Sequence, residues 1–236
     1  MAPTLFIPRR FNGPPDSGNG GYCAGLAAGF VDGQAEITLR APVPLDTGLD
    51  VEITPEGADV RHGDVLVMEA RARAPLETPS QTPPSADDAA AAAENYRSVE
   101  EHALPACFVC GPARAEGDGL RIFTTRLDGT DQVAAPWTPT DNLAADDGAV
   151  AEEFVWAALD CAGAFALDVE PLLLGRFAAK VLDRPSPGET TIVIGWPIGS
   201  SGRKHHAGTA LYSGDGRLLA HAEATWIKLT RPHGAA

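Results

Sequence analysis

The sequence lacks an apolar run of about eighteen or more residues, so we expect no membrane-spanning helix. Its first residues also lack the basic start and long apolar stretch of a signal peptide. Four cysteines are too few for a disulfide scaffold in a chain of 236 residues. These absences predict a globular protein of the cytoplasm.

Positive charge is scarce as well. The chain has 18 Lys and Arg against 32 Asp and Glu, and its formal net charge is −14. A surface this negative repels phosphates, so a nucleic-acid partner is not expected. The chain also has no Gly-x-Ser-x-Gly elbow, no P-loop and no dinucleotide-binding fingerprint after a strand. A hydrophobic content of 44% nevertheless supports a packed core.

One segment has the composition of a linker. Residues 74–85 are rich in proline and small polar residues, with little to bury. In the alanine-rich stretch that follows, Asp87 or Asp88 could cap a short helix through roughly Glu101. We therefore divide the chain into three parts: an N-terminal module at 1–73, a linker at 74–105 and a C-terminal module at 106–236.

The two modules share an order of elements. In the first, a glycine-rich turn at 17–21 leads into an apolar helix at 22–30. Strands follow at 35–40, 49–53 and 65–72. In the second, two strands at 120–125 and 132–137 precede a longer helix at 148–167. Four strands follow this helix, at 176–182, 190–196, 207–212 and 218–229. Asp215-Gly216 is a hairpin signal between the last two. This faint repeat predicts an α+β fold in which an antiparallel sheet curls around a central helix.

Several motifs resemble those of a known family. Cys107 to Pro112, followed by Gly119-Leu120, resembles the Cys-Phe-x-Cys-Gly-Pro…Gly-Leu opening of many thioesterase-like hotdog proteins. The segment from Trp156 to Cys161 resembles their core helix, which carries an acid, and residues 202–226 resemble their terminal hairpin. In the first module Asn19-Gly20-Gly21 resembles their His-Gly-Gly motif, with Asn in place of His. The chain is thus similar to the hotdog-fold acyl-CoA thioesterase-like superfamily, in a tandem, double-hotdog arrangement.

The resemblance implies a site with two parts. One is an amide donor at a helix N-terminus, which polarises a thioester carbonyl, and the other is a carboxylate. The first module offers the Gly20 and Gly21 amides beside Asn19, but has Ala28 where the family often carries its acid. The second module offers Asp160 but no Gly-Gly pair. We therefore expect one composite site, with its pocket between the modules.

The resemblance gives each residue of that site an expected role. Asp160 would be the nucleophile or general base, and Glu153, seven residues earlier, is the alternative acid. Tyr22 and Trp156 would line the pocket. Plainer interpretations stay open: Asp160 as an acid at the solvent edge, Glu153 as a partner of the helix dipole, and the glycine pair as a flexible turn.

A compact basic cluster is formed by Arg203, Lys204, His205 and His206. It could hold the phosphates of coenzyme A, or it could be a solvated hairpin end. Strand alternation would point the two histidines to opposite faces of the sheet. No metal partner is evident for either of them.

Cys107 and Cys110 form a Cys-x-x-Cys pair. A zinc site needs further ligands at suitable spacing, and none is present in sequence. Because Cys161 lies on a predicted helix and Cys23 in the other module, a four-cysteine site is not expected. We therefore interpret the pair as packing and predict no metal.

The predicted function is hydrolysis of an acyl thioester, carried by coenzyme A or a carrier protein. No cofactor is expected, since coenzyme A is part of the substrate, and the chain could pair again as a homodimer through its sheets. The alternative is a non-catalytic protein that binds an acyl group or small ligand, since Ala28 shows that part of the symmetric machinery is lost. A hydratase is disfavoured because its Asp-x-Asn-x-x-His signature is absent.

Overall fold

An antiparallel sheet of eleven strands forms the frame of the protein, seen in a computed structural model that describes residues 3–230. The first half contributes β1 Thr4–Phe6, β2 Ala35–Leu39, β3 Gly48–Thr54, β4 Gly57–His62 and β5 Val65–Ala72. The second half contributes β6 Thr125–Arg126, β7 Val133–Trp137, β8 Leu172–Val181, β9 Thr191–Ser201, β10 Lys204–Ser213 and β11 Leu218–Lys228. Their order across the sheet is β1-β3-β4-β5-β2-β8-β11-β10-β9-β7-β6.

The two halves meet in the middle of this sheet. β2 pairs antiparallel with β8 through only two positions, where Ile37 opposes Phe177 and Thr38 opposes Arg176. Ile37 and Phe177 are fully buried, so this short pairing also closes the core between the halves. The sheet is therefore continuous, although each half contributes a separate set of strands.

Four helices pack on this sheet: α1 Gly20–Ala28, α2 Ala86–Ala93, α3 Glu152–Ala158 and α4 Cys161–Ala166. α1, α3 and α4 share the main core with one face of the sheet. Residues 154–158 of α3 are all buried, as expected for a helix enclosed by a curved sheet. α1 is apolar on all sides and has no charged residue, which suits the same position.

α2 covers the opposite face of the sheet. Its Ala89 packs in a second small core with Ala134 of β7, Ile194 of β9 and Tyr212 of β10. Successive strand residues point to opposite faces, so Ala134 faces α2 while its neighbours face the main core. The linker thereby wraps around the outside of the C-terminal strands.

The predicted helix through Glu101 is shorter than expected. Its cap is Ser85, whose Oγ accepts from the Asp88 N–H at 3.1 Å, and it ends at Ala93. The chain then turns, and the partly buried Tyr96 packs against the main core. The Tyr96 ring stacks on Phe123 at 4.7 Å, and its hydroxyl donates to the Cys110 carbonyl at 2.8 Å.

The single helix predicted over residues 148–167 is also wrong, because the structure has a break between α3 and α4. At the break the backbone tightens, and the N–H of Asp160 bonds to the carbonyl of Ala157. The Leu159 carbonyl instead accepts a hydrogen bond from the Thr209 hydroxyl of β10 at 2.8 Å. A tertiary partner thus takes a carbonyl that would otherwise continue the helix.

Most predicted strands are confirmed, including the hairpin at Asp215-Gly216 that joins β10 and β11. The strand predicted over residues 120–125 is wrong, since only Thr125–Arg126 pairs in the sheet. Leu120 and Ile122 instead bond to the carbonyls of Phe108 and Val109. β1 and β4 were not predicted.

Residues 73–124 contain α2 and no strand. The module boundaries at 73/74 and 105/106 stay predictions. Within residues 3–230, no helix is long and apolar enough to cross a membrane.

Candidate active site

The N-terminus of α1 is organised by Asn19. Asn19 is 2% exposed, and its Oδ1 accepts from the Tyr22 N–H at 2.9 Å. This is the usual arrangement of a helix N-cap, in which a side-chain oxygen satisfies an N–H of the first turn. It leaves the Asn19 amide nitrogen free to donate elsewhere.

Asp160 of the other half lies directly against this helix end. Its Oδ2 accepts from the Gly21 N–H at 2.9 Å and from Asn19 Nδ2 at 2.8 Å, across 141 residues of sequence in the latter case. Asp160 occupies the break between α3 and α4, which aims its side chain at α1. The structure therefore brings together Asn19, Gly21 and Asp160, with Gly20 beside them.

Glycines allow α1 and α3 to approach this closely. A Cβ on Gly21 would lie 2.6 Å from Asp160 Cβ and 2.8 Å from the Trp156 carbonyl oxygen. One turn later, a Cβ on Gly25 would lie 2.7 Å from the Cα of Glu153. Both positions are on the same side of α1, where any side chain would separate the helices. Gly21 was predicted as a site residue and Gly25 was not, although the four-residue spacing between them was a usable signal.

The Asp160 carboxyl group is 3% exposed, and its two oxygens differ in their surroundings. Oδ2 has both donors, whereas Oδ1 is buried without a hydrogen-bond partner among the described residues. Burial raises the pKa of Asp160 to about 7, opposed by the hydrogen bond from Gly21. The nearby Cys107 raises this pKa further, and Asn19 lowers it. Oδ1 is thus the oxygen available to a water molecule or substrate.

An aromatic cluster borders α1. The Tyr22 ring stacks on Phe11 at 4.2 Å and lies 5.6 Å from Phe154 and 6.1 Å from Phe108. Burial raises the pKa of Tyr22, so its hydroxyl is neutral at physiological pH. Trp156 is 2% exposed and packs edge-on against Phe177 at 5.7 Å. Tyr22 follows Gly21 in α1, and Trp156 lies one turn before Asp160, so both belong to the buried surroundings of the α1–α3 contact.

Glu153 lies at the α1–α3 contact, with its Cα beside Gly25. It is half-buried, and its charge contributes to the raised pKa of Tyr22. Among the described residues, no hydrogen bond joins Glu153 to Asn19, Gly21 or Asp160. Glu153, the alternative acid, thus lies in α3, but it is not part of the hydrogen-bonded group of Asn19, Gly21 and Asp160.

The carboxyl group is closed to solvent in this structure. A surface depression of about 160 Å³ is lined by residues of the outer sheet face, among them Arg176, His206 and Glu223. A second, wider depression lies at the loop 126–131. Neither is lined by Asp160 or by α1. Because Oδ1 is buried, a substrate reaches it only after neighbouring residues move.

The basic cluster is divided between surfaces. Arg203 and Lys204 are exposed at the turn between β9 and β10. His205 pairs with Trp226, which contacts α4, so both side chains face the helices. His206 lines the depression on the opposite face. The cluster makes no hydrogen bond to the Asp160 group among the described residues.

Three cysteines come together behind Asp160. The Sγ atoms of Cys107, Cys110 and Cys161 lie within 4.8 Å of one another, and the Cys107–Cys161 separation is 3.9 Å. Cys161 directly follows Asp160 as the first residue of α4. The sequence did not predict that Cys161 joins the Cys-x-x-Cys pair, because the contact depends on how α4 packs. Cys23 does not belong to this group.

Comparisons with known proteins address the fold. No protein-family model matches the chain, and a search of the curated proteins found no similar sequence. Among solved structures, the tesB protein of Mycobacterium avium subs paratuberculosis superposes with a TM-score of 0.60 at 14% identity, covering 95% of this chain and 91% of that one. A provisionally named thioesterase from Novosphingobium aromaticivorans gives 0.59 at 13% identity, covering 96% and 94%.

Both similarities extend over nearly the whole chain, so they concern the two halves together. They confirm the predicted α+β, double-hotdog fold. At 13% and 14% identity they show the fold alone, and the assignment of chemistry depends on the site.

Proposed function

We propose that this protein hydrolyses an acyl thioester, carried by coenzyme A or by a carrier protein, at one composite site between its halves. The observation that carries the proposal is the contact of the Asp160 carboxyl group with the Gly21 N–H at 2.9 Å. It joins an acid from one half to a helix N-terminus from the other. The fold similarity to proteins named as thioesterases supports the same reaction class.

Asp160 acts as the nucleophile or general base of this reaction. Asn19 and Gly21 both donate to Oδ2 in this structure. During the reaction Asn19 keeps its bond to the carboxyl group, and Oδ1 is the oxygen that acts. As a base, Oδ1 takes a proton from water while the water oxygen attacks the thioester carbon. The sulfur leaves as the carbon–sulfur bond breaks, and the proton held by Asp160 passes to it. The products are a carboxylic acid and a thiol.

The N-terminus of α1 polarises the thioester carbonyl in this scheme. Gly20 is the first residue of the helix, so its N–H has no acceptor inside the helix. The Gly21 N–H donates to Asp160 in this structure, so it becomes available to substrate only when the carboxyl group rotates. Both donors also carry the positive end of the helix dipole, which favours the developing oxyanion.

Substrate binding uses the remaining residues named above. Tyr22 and Trp156 provide the apolar wall for the acyl group. Arg203 and Lys204 are exposed and form no salt bridge among residues 3–230, so they are the proposed contacts for coenzyme A phosphates. His205 and His206 are secondary candidates, since they lie on opposite faces of the sheet.

The test is hydrolysis of acyl-CoAs of increasing chain length, followed by the loss of thioester absorbance. Asp160→Asn should lower turnover about a thousandfold, since a general base contributes on that scale. Its melting temperature should stay close to that of the wild type, because the amide oxygen can accept both bonds that Oδ2 accepts. Glu153→Gln is the matched control and should retain activity.

Unchanged hydrolysis by Asp160→Asn would refute the catalytic assignment. Loss of hydrolysis in Glu153→Gln alone would transfer the role to Glu153.

A second function, binding of an acyl group without turnover, is favoured by one observation. Asp160 is 3% exposed and occupies the Gly21 N–H that a thioester carbonyl would need. A wild-type protein that binds acyl-CoA in calorimetry yet hydrolyses none of the acyl-CoAs tested would support this function over the first.

A further inference from the structure

The cluster of Cys107, Cys110 and Cys161 has no role in the proposed hydrolysis of a thioester. Cys107 and Cys110 are buried in the loop after the linker, while Cys161 begins α4 and is partly exposed. Their Sγ atoms all lie within 4.8 Å of one another. Buried cysteines are common as small apolar residues, but three sulfur atoms converging from two distant segments form a potential ligand set.

The spacing of the sulfur atoms suits tetrahedral coordination. Zinc–sulfur bonds of about 2.3 Å at tetrahedral angles place neighbouring thiolates roughly 3.8 Å apart. The separation of Cys107 Sγ from Cys161 Sγ is 3.9 Å. The two side chains therefore already stand at the distance of two ligands on one zinc ion, which is much longer than a disulfide bond of about 2 Å.

The Cys107–Gly111 turn is preformed for such a ligand set. The Gly111 N–H donates to the Cys107 carbonyl at 2.9 Å and so closes the turn that contains Cys107 and Cys110. A Cβ on Gly111 would lie 2.5 Å from the carbonyl oxygens of both Cys107 and Pro105, so the turn requires glycine.

The surrounding structure holds this turn in place. Leu120 and Ile122 donate backbone hydrogen bonds to the carbonyls of Phe108 and Val109, at 2.8 and 2.9 Å. The Tyr96 hydroxyl donates to the Cys110 carbonyl at 2.8 Å. Residues outside the turn thus fix the backbone on either side of both cysteines, and α4 brings the third sulfur to them.

We propose that Cys107, Cys110 and Cys161 bind one soft divalent cation, of which Zn²⁺ is the natural example. Three thiolates occupy three tetrahedral positions, and a solvent molecule completes the fourth. Each thiol that becomes a ligand releases its proton to solvent. The bound cation connects the loop at Cys107 to the first residue of α4, and so fixes the helix break that holds Asp160.

The experiment uses the full chain, reduced and freed of metal with a chelator. Zn²⁺ is titrated in competition with a chromophoric chelator, and Co²⁺ is added separately as a spectroscopic probe. We expect one Zn²⁺ per chain, a higher melting temperature with Zn²⁺, and an intense thiolate-to-cobalt charge-transfer band with the absorption of tetrahedral Co²⁺.

Cys161→Ala is the informative variant, because it leaves the Cys107–Cys110 pair intact. It should weaken Zn²⁺ binding at least about tenfold and abolish the melting-temperature shift. Cys23→Ala is the matched control: it removes a fully buried thiol outside the cluster and should bind Zn²⁺ as the wild type does. Circular dichroism confirms that both variants are folded.

The proposal is overturned if reduced wild-type protein binds no stoichiometric Zn²⁺, or if Cys161→Ala binds it with unchanged affinity. It is also overturned if mass spectrometry finds a disulfide among the three cysteines while the reduced protein ignores Zn²⁺, since the cluster would then be a redox pair. None of these measurements involves hydrolysis, so their failure is separate from failure of the proposed function.

Discussion

The helix α1 of the first half and the helices α3 and α4 of the second meet at the same point but contribute opposite chemistry. α1 begins with two glycines and supplies N–H donors, while the break between α3 and α4 supplies a buried carboxyl group. Asn19 connects them, since it caps α1 with one side-chain atom and bonds Asp160 with the other. In the proposed function these parts form one asymmetric site, to which each half contributes what the other lacks.

The contact between α1 and α3 is most easily disrupted at the glycines of α1. Gly21→Ala should destabilise the protein by about 3 kcal/mol, because the new Cβ meets backbone and Cβ atoms that cannot move. Gly20→Ala is the matched control. The three atoms nearest to its Cβ would all belong to the Leu174 side chain, with Cδ2 at 2.7 Å and Cβ at 3.2 Å. Cδ2 can rotate away and the Cβ contact needs only a small shift, so the loss of stability should be about 1 kcal/mol, well below that of Gly21→Ala.

Urea denaturation of both variants measures this difference. Equal stabilities for Gly20→Ala and Gly21→Ala would mean that α1 and α3 are not in the close contact described.

This contact also shows what sequence could predict. The Gly-Gly pair before an apolar helix and the acid in the second helix are local motifs, and both were identified. The positions of most strands followed from alternation of apolar residues. β4 was missed although Ala58 and Val60 alternate with polar residues, because two apolar positions are too short a signal.

What could not be predicted depends on tertiary partners. The helix break at Asp160 accompanies the Thr209 hydroxyl bond to the Leu159 carbonyl, and these two residues are 50 positions apart. Likewise, Cys161 meets Cys107 across 54 residues of sequence. Local pattern carries no information on either contact, because each depends on how β10 and α4 pack.

α1 of the first half is continuous, whereas the second half has a break between α3 and α4. Thr209→Val tests whether this break positions Asp160. Loss of the hydroxyl leaves the buried Leu159 carbonyl unpaired, so stability should fall by about 1–2 kcal/mol. Hydrolysis should fall too, because the adjacent Asp160 is no longer held in position. Thr191→Val removes a similar buried bond, from Thr191 Oγ1 of β9 to the Trp137 carbonyl of β7 at 2.8 Å, which does not involve the break between α3 and α4.

Thr191→Val should therefore lose similar stability but retain hydrolysis. If both variants hydrolyse acyl-CoA equally well, the helix break does not position Asp160.

The smallest expected effect is on substrate affinity, through the positive charges of Arg203 and Lys204 in the second half. Replacing both with Gln should raise KM for acyl-CoA about threefold and leave kcat unchanged, as expected for exposed ionic contacts. The effect should vanish at high salt. An N-acetylcysteamine thioester with the same acyl group lacks the phosphates, so its KM should not change. An equal increase in KM for both substrates would exclude phosphate binding at this turn.

The central claim, that the halves share one site, is tested most directly by a double-mutant cycle between Asn19→Ala and Asp160→Ala, measured by urea denaturation. The cycle cancels the loss of the N-cap, which belongs to Asn19 alone. Because the bond from Asn19 Nδ2 to Asp160 Oδ2 is 2.8 Å long and buried, we expect a coupling energy of about 1.5–3 kcal/mol. Additive free energies of unfolding would show that the two residues do not interact in solution, and would contradict the composite site.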